Sequence, residues 1–120
     1  MGEDALSAAQ RALLARMDDD LARQLAAKPR RLAHARSVAE TAASLARTYG
    51  VDEFLARAAG LLHDWEKALG GREIVARARE LGIDLGVDLE LVSPLLHGIV
   101  AARTLPARYP ELPAEVWRAV

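Results

Sequence analysis

The stretch Asp52-Glu53-Phe54-Leu55-Ala56-Arg57-Ala58-Ala59-Gly60-Leu61-Leu62-His63-Asp64-Trp65 decides the fold class. Phe54, Leu55, Ala58, Leu61, Leu62 and Trp65 recur at three- and four-residue spacings, the period of an amphipathic helix. Asp52 stands where an N-cap carboxylate can accept from the first free amides, and the next stop is Gly70-Gly71. The spacing therefore predicts one helix running from Asp52 to that glycine pair.

The same period extends in both directions. Leu6, Leu13, Leu14, Met17, Leu21 and Leu25 predict helix over 4–27, with a break near Asp18-Asp19-Asp20, whose charges suit the first turn of a second short helix. Pro29 can occupy the first turn of a helix through Leu32, Val38, Ala42, Leu45 and Tyr49 that stops at Gly50. Ile74, Val75, Ala78 and Leu81 mark a further helix closed by Gly82. Between Ile83 and Leu91 apolar residues alternate with Asp84, Gly86, Asp88 and Glu90, but no second strand exists to pair with, so an extended loop is expected. Ser93-Pro94 reads as N-cap and first residue of a helix through Leu95, Leu96, Ile99, Val100 and Leu105, terminated by Pro106. The segment from Pro113 to Val120 begins like an amphipathic helix and then stops without a C-cap, as though cut inside an element.

Twenty-five alanines and nineteen leucines against five aromatic residues favour helices with close axes, so the fold class is all-α. A chain of 120 residues forms one structural domain, with residues 1–27 a helical segment packing on a bundle made by 28–120. At this length the chain buries roughly two-thirds of its unfolded surface without staples, so any metal would be functional rather than structural. Cysteine is absent, which removes disulfides, thiolate metal sites and a cysteine nucleophile, and accords with a cytoplasmic location. A net charge of −1 recruits neither nucleic acid nor an anionic membrane, and no apolar run is long enough to span a bilayer. The Met1-Gly2-Glu3-Asp4 start lacks the basic and apolar regions of a signal peptide.

Chemistry then rests on three histidines, His34, His63 and His97. Gly70-Gly71 is followed by no Walker lysine, and no serine stands in a nucleophile elbow. On a helical wheel His34 lies within about 40° of Val38, Thr41 and Leu45, His63 near Leu55, Ala59 and Leu62, and His97 near Ala101 and Leu105. All three imidazoles are thus expected to face one interior, where a shared metal would satisfy them. Imidazole and carboxylate donors without thiolate suit Fe, Mn, Co or Zn. His63 and Asp64 can both reach that metal only if the helix axis passes close beside it, and Gly60, one turn earlier, removes a side chain that would obstruct this. Gly60 equally suits plain helix contact. Lys67 follows Asp64 by three residues and His63 by four, so its ammonium hangs over the same site. With two lysines against fourteen arginines, Lys at this position points to a compact charge, although pairing with Asp64 or a surface role beside Glu66 would also account for it.

The runs Arg31-Leu32-Ala33-His34 with Val38-Ala39-Glu40, Ala58 through Lys67, and Pro94-Leu95-Leu96-His97-Gly98 together resemble the HD-domain metal phosphohydrolases. Among these the chain is most similar to the bacterial symmetrical bis(5'-nucleosyl)-tetraphosphatases. The resemblance covers residue 28 onward. It implies a helical HD bundle in which His34, His63 and Asp64 are metal ligands, Lys67 binds substrate phosphate, and His97 lies beside the substrate or completes a second metal position. It further implies iron in a mononuclear or dinuclear site, a nucleotide substrate, hydrolysis of diadenosine tetraphosphate to two ADP with Asp64 and Lys67 in the catalytic group, and room for a homodimer. The family pattern continues with a His-Thr segment and a late aspartate that these residues do not include, so the resemblance implies a site short of one ligand. Another HD hydrolase acting on a nucleoside monophosphate or guanosine polyphosphate, or a helical module that binds metal or nucleotide without turnover, fits the same residues.

Overall fold

Gly50 takes the left-handed conformation at φ +71°, and two residues later Asp52 accepts a hydrogen bond from the Leu55 amide at 3.0 Å. One helix therefore ends and the next begins at the expected corner. In this computed structural model, which describes residues 6–120, the elements are α1 (Ala8–Gln24), α2 (Pro29–Tyr49), α3 (Glu53–Leu62), α4 (Gly71–Glu80), α5 (Ser93–Arg108) and α6 (Ala114–Ala119). Single 3₁₀ turns lie at Trp65–Ala68 and Leu89–Val92, and there is no strand among the described residues. The all-α fold matches expectation, and the segment after Gly82 is irregular as far as Asp88, where the 3₁₀ turn Leu89–Val92 takes the place of the end of the expected extended loop.

The packing of α2 on α3 organises the rest. A Cβ on Gly60 would stand 2.7 Å from the Ala39 Cα, so the two backbones touch at that point. Contact this close admits only small side chains, and the buried face of α2 is Ala35, Ala39, Ala43 and Ala46. Of the residues expected to face inward, Thr41, Leu45 and Tyr49 are exposed, Leu45 at 53% and Tyr49 at 76%, and Val38 is half-buried. His34 is exposed as well. Arg57 of α3 bonds Glu40 of α2 and, at 3.3 Å, Glu53 on its own helix.

Three element boundaries differ from expectation, each for an identifiable reason. First, α1 runs unbroken from a Ser7–Gln10 capping box, because Leu14, Met17 and Leu21 form one buried stripe. The acidic residues serve as acceptors instead: Asp18 takes the Arg36 guanidinium at two bonds of 2.9 Å, and Asp20 takes the Tyr109 hydroxyl at 2.6 Å. Residues 1–5, where that helix was expected to start, lie outside the described part. Second, α3 ends at Leu62, eight residues before Gly70, so that Trp65 can swing into the core edge-on to Tyr109, with ring centroids 6.2 Å apart. Carbonyls released by leaving the helix find side-chain donors: Gln24 Nε2 reaches Trp65 O at 3.2 Å and Lys28 Nζ reaches Lys67 O at 2.7 Å. Third, α5 has Val92 at its N-cap, with Ser93 already inside, and it continues through Pro106 to Arg108. Full burial of Leu105 and Tyr109 on either side of Pro106 outweighs the one helical bond that a proline forfeits.

Two cores result. The larger joins α1, α2, α3, Trp65, the second half of α5, Tyr109 and α6; the smaller joins Ile74, Val75 and Ala78 of α4 to Leu89, Leu96 and Val100. The Trp65–Ala68 turn lies between them in sequence.

Gly60→Ala should cost about 1–3 kcal/mol by overpacking a backbone contact that has no flexible neighbour to yield. Chemical denaturation monitored by circular dichroism checks this.

Tyr109→Phe should cost about 1.5–3 kcal/mol at neutral pH, the range for a hydrogen bond to a charged group. The Tyr109 bond is the largest cause holding the Asp20 carboxyl below its ordinary 3.8. The unfolded chain therefore takes up that proton first, and the advantage over the variant should be full above pH 3.8 and fade as the pH falls through the lowered value. Burial, then Asp20, pushes the Tyr109 phenol up to about 12, so wild type alone should also lose stability as pH rises from 10.0 towards that value. Melting curves across pH read both limits.

Candidate metal centre

At the end of α3, His63 keeps helical dihedrals with its amide bonded to Ala59 O at 3.0 Å, and Asp64 is the first residue to leave the helix. The His63 Nδ1–H donates to Gly60 O at 2.7 Å, which fixes the ring and leaves the Nε2 lone pair free. Nε2 lies 3.3 Å from Asp64 Oδ1, and Asp64 Oδ2 lies 4.0 Å from Nε2 of His34. The two imidazole rings are 5.7 Å apart. One donor atom from each of His34, His63 and Asp64 thus falls within 4.8 Å of the others. Ligands bound at about 2.0–2.2 Å in a tetrahedral site sit about 3–3.5 Å from one another, so small side-chain rotations would close this group around a transition metal. The donor set, two neutral imidazole nitrogens and one carboxylate, fits such an ion.

Only one of the three histidines faces a shared interior as expected, and it does so partially. Asp64 is buried at 5% exposure and His63 is partly covered, but the His34 side chain is 59% exposed and forms the open side of the site. Alanine packing in α2 puts His34 at the rim: it closes on Asp64 from the edge of the α2–α3 contact. His97 is not part of the group. Its Nε2–H donates to Leu69 O at 3.1 Å and its Nδ1 is buried without a partner, because this part of α5 packs on the segment leading into α4.

Lys67 is one 3₁₀ turn beyond Asp64, its amide bonded to Asp64 O at 2.9 Å. Its ammonium makes no ion pair among the described residues, so the surface pairing that would explain it otherwise is not formed. Lys28, the N-cap of α2, and Arg31 and His34 in its first turns follow at three-residue steps, and the outer two reach Lys67 O and Asp64. Arg31 sits between them, exposed and without an acidic partner among the described residues. Its position between them was visible in sequence spacing, but only the contacts at either end show what it overlooks.

Glu66 is a buried acid that the sequence reading did not single out: it is 6% exposed, and its Oε1 accepts from Thr104 Oγ1 of α5 at 3.3 Å. Burial pushes its carboxyl above the usual range, with the Thr104 bond and the charges of Arg77 and His97 opposing.

Comparison with known proteins places this geometry. The HD domain family matches residues 31–105. A symmetrical bis(5'-nucleosyl)-tetraphosphatase of Staphylococcus aureus (strain NCTC 8325 / PS 47) is 40% identical over 82 residues, covering 67% of this chain and 41% of the relative. The chain thus spans well under half the length of that relative. No solved structure matches.

His63→Ala and Asp64→Ala should each abolish retention of a transition metal through gel filtration while circular dichroism stays near wild type. Stoichiometric metal in the double variant, read by inductively coupled plasma mass spectrometry, would reassign the site.

Proposed function

The chain belongs to the HD domain family, and from that premise we propose that it is a metal-dependent phosphohydrolase acting on a dinucleoside tetraphosphate and releasing two nucleoside diphosphates. The observation that carries this reading is the joining of the His34, His63 and Asp64 donors with an unpaired Lys67 ammonium one turn away. A metal held by these residues supplies polarisation of a phosphoryl oxygen and water of lowered pKa.

The chain's own groups account for the remainder. Gly60 O holds the His63 ring through its Nδ1–H, so the ring presents Nε2. Asp64, fixed at the end of α3 and shielded from solvent, contributes negative charge without competing water. Lys67 offsets charge on the diphosphate that leaves, and Arg31, exposed between Lys28 and His34 in the chain, offers a guanidinium fork to a further phosphate. His97 takes no part in this reading. Iron is the metal implied by the resemblance, and symmetrical cleavage is taken from the printed name of the relative.

The test is turnover by protein loaded separately with Fe(II), Mn(II), Co(II) and Zn(II), offered diadenosine tetraphosphate, AMP and a guanosine polyphosphate. ADP as the sole product of the first is expected; release of ATP and AMP, or preference for either other substrate, would overturn the assignment. Lys67→Ala should weaken ADP binding at least about tenfold by calorimetry, the loss of one charge-assisted contact, with metal content unchanged.

A further inference from the structure

Of the chain's 16 Lys and Arg residues only Lys28 and Lys67 are lysines, and the fold joins these two. Lys28 is the N-cap of α2, and Lys67 lies 39 residues later in the Trp65–Ala68 turn. The Lys28 ammonium donates to the Lys67 carbonyl in a part-buried contact of 2.7 Å, the short end of the charge-assisted range. It forms no ion pair among the described residues, so a neutral carbonyl and not a carboxylate anchors it. A single oxygen takes a compact ammonium, whereas a guanidinium fork would bring donors with nothing to meet.

The bond holds one end of a residue whose other end is already held. The Lys67 amide donates to Asp64 O at 2.9 Å, which ties it to the residue that offers the metal centre its carboxylate. With Lys28 on the carbonyl, both polar groups of the Lys67 backbone are fixed, and with them the direction in which its side chain leaves the turn. The carbonyls between are engaged too: Trp65 O accepts from Gln24 Nε2 at 3.2 Å and Glu66 O from the Leu69 amide at 2.9 Å. The Lys67 ammonium itself has no hydrogen bond or ion pair among the described residues. Its backbone is anchored and its charge is left for a ligand.

We propose that Lys28 is a positioning residue for phosphate binding: by holding the Lys67 carbonyl it sets the direction in which the Lys67 side chain reaches the phosphates, without touching them itself. This rests on the phosphate role given to Lys67 above. It also accounts for the placement of both lysines in a chain that otherwise uses arginine.

The test is calorimetric titration with ADP of Zn(II)-loaded wild type, Lys28→Met, Lys67→Ala and the double variant. Methionine keeps an unbranched stem without donor or charge. Lys28→Met should weaken ADP binding about three- to tenfold, within the worth of one charge-assisted bond, with metal content unchanged. Added to Lys67→Ala, it should weaken binding no further. An affinity within about twofold of wild type in Lys28→Met would overturn the proposal, as would a double variant weaker than Lys67→Ala by the whole Lys28→Met factor. Wild type decides the matter even if Lys28→Met fails to fold. With lysine labelled by ¹⁵N at Nζ the chain gives two ammonium signals, and Lys67→Ala identifies one by its loss. ADP should shift the Lys67 signal and leave that of Lys28 in place; a Lys28 signal that moves as far would overturn the positioning role. Lys67→Ala binding ADP as wild type does would remove the phosphate role of Lys67 and this proposal with it. A loss there beside an unchanged Lys28→Met would remove this proposal alone.

Discussion

The backbone contact between Gly60 and Ala39 is the constraint on which the site depends. It brings the axes of α2 and α3 so close that the α2 interface is restricted to alanine, and it sets His34 at the edge of that interface, opposite the end of α3. The helix then ends at His63, which keeps helical dihedrals, and Asp64 follows it with its carboxylate 3.3 Å from His63 Nε2 and 4.0 Å from His34 Nε2. A wider helix pair would carry His34 away from both.

Polar groups are disposed so that this arrangement leaves few orphans. Ending α3 early frees carbonyls at Trp65 and Lys67, and these are met by Gln24 from α1 and Lys28 from the start of α2. Gly60 O is met by His63. Glu66, buried on the other side of the same short turn, is held by Thr104 of α5. A single 3₁₀ turn is therefore tied to α1, α2 and α5, which holds the segment after Asp64 stiff.

Much of this was legible in the residues. Gly50, Asp52 and Gly82 mark helix ends by conformations and caps that depend on local chemistry alone, and they fall where the spacing puts them. That His34, His63 and Asp64 come together was implied by the family resemblance, while the spacing alone offered three inward histidines and a glycine that suits a close helix contact. What spacing could not supply was the identity of the face that packs. In α2 both sides carry apolar residues, and only the closeness demanded by Gly60 selects Ala35, Ala39, Ala43 and Ala46 over Val38, Leu45 and Tyr49. The same limit hid the turn at His63: Leu62, Trp65 and Leu69 continue the helical period, and the gain from burying Trp65 against Tyr109 is a long-range term that no local pattern contains. His97, assigned to the shared interior from the period of its own helix, instead donates to Leu69 O away from the other two histidines.

The central claim is that two helices in backbone contact present two imidazoles and one carboxylate to a single ion. X-ray absorption spectroscopy of the metal-loaded protein tests it most directly. The account predicts two imidazole nitrogens and a carboxylate oxygen at about 2.0–2.2 Å from the metal, with light-atom donors from water or substrate completing the shell. A shell with one imidazole or none would contradict it.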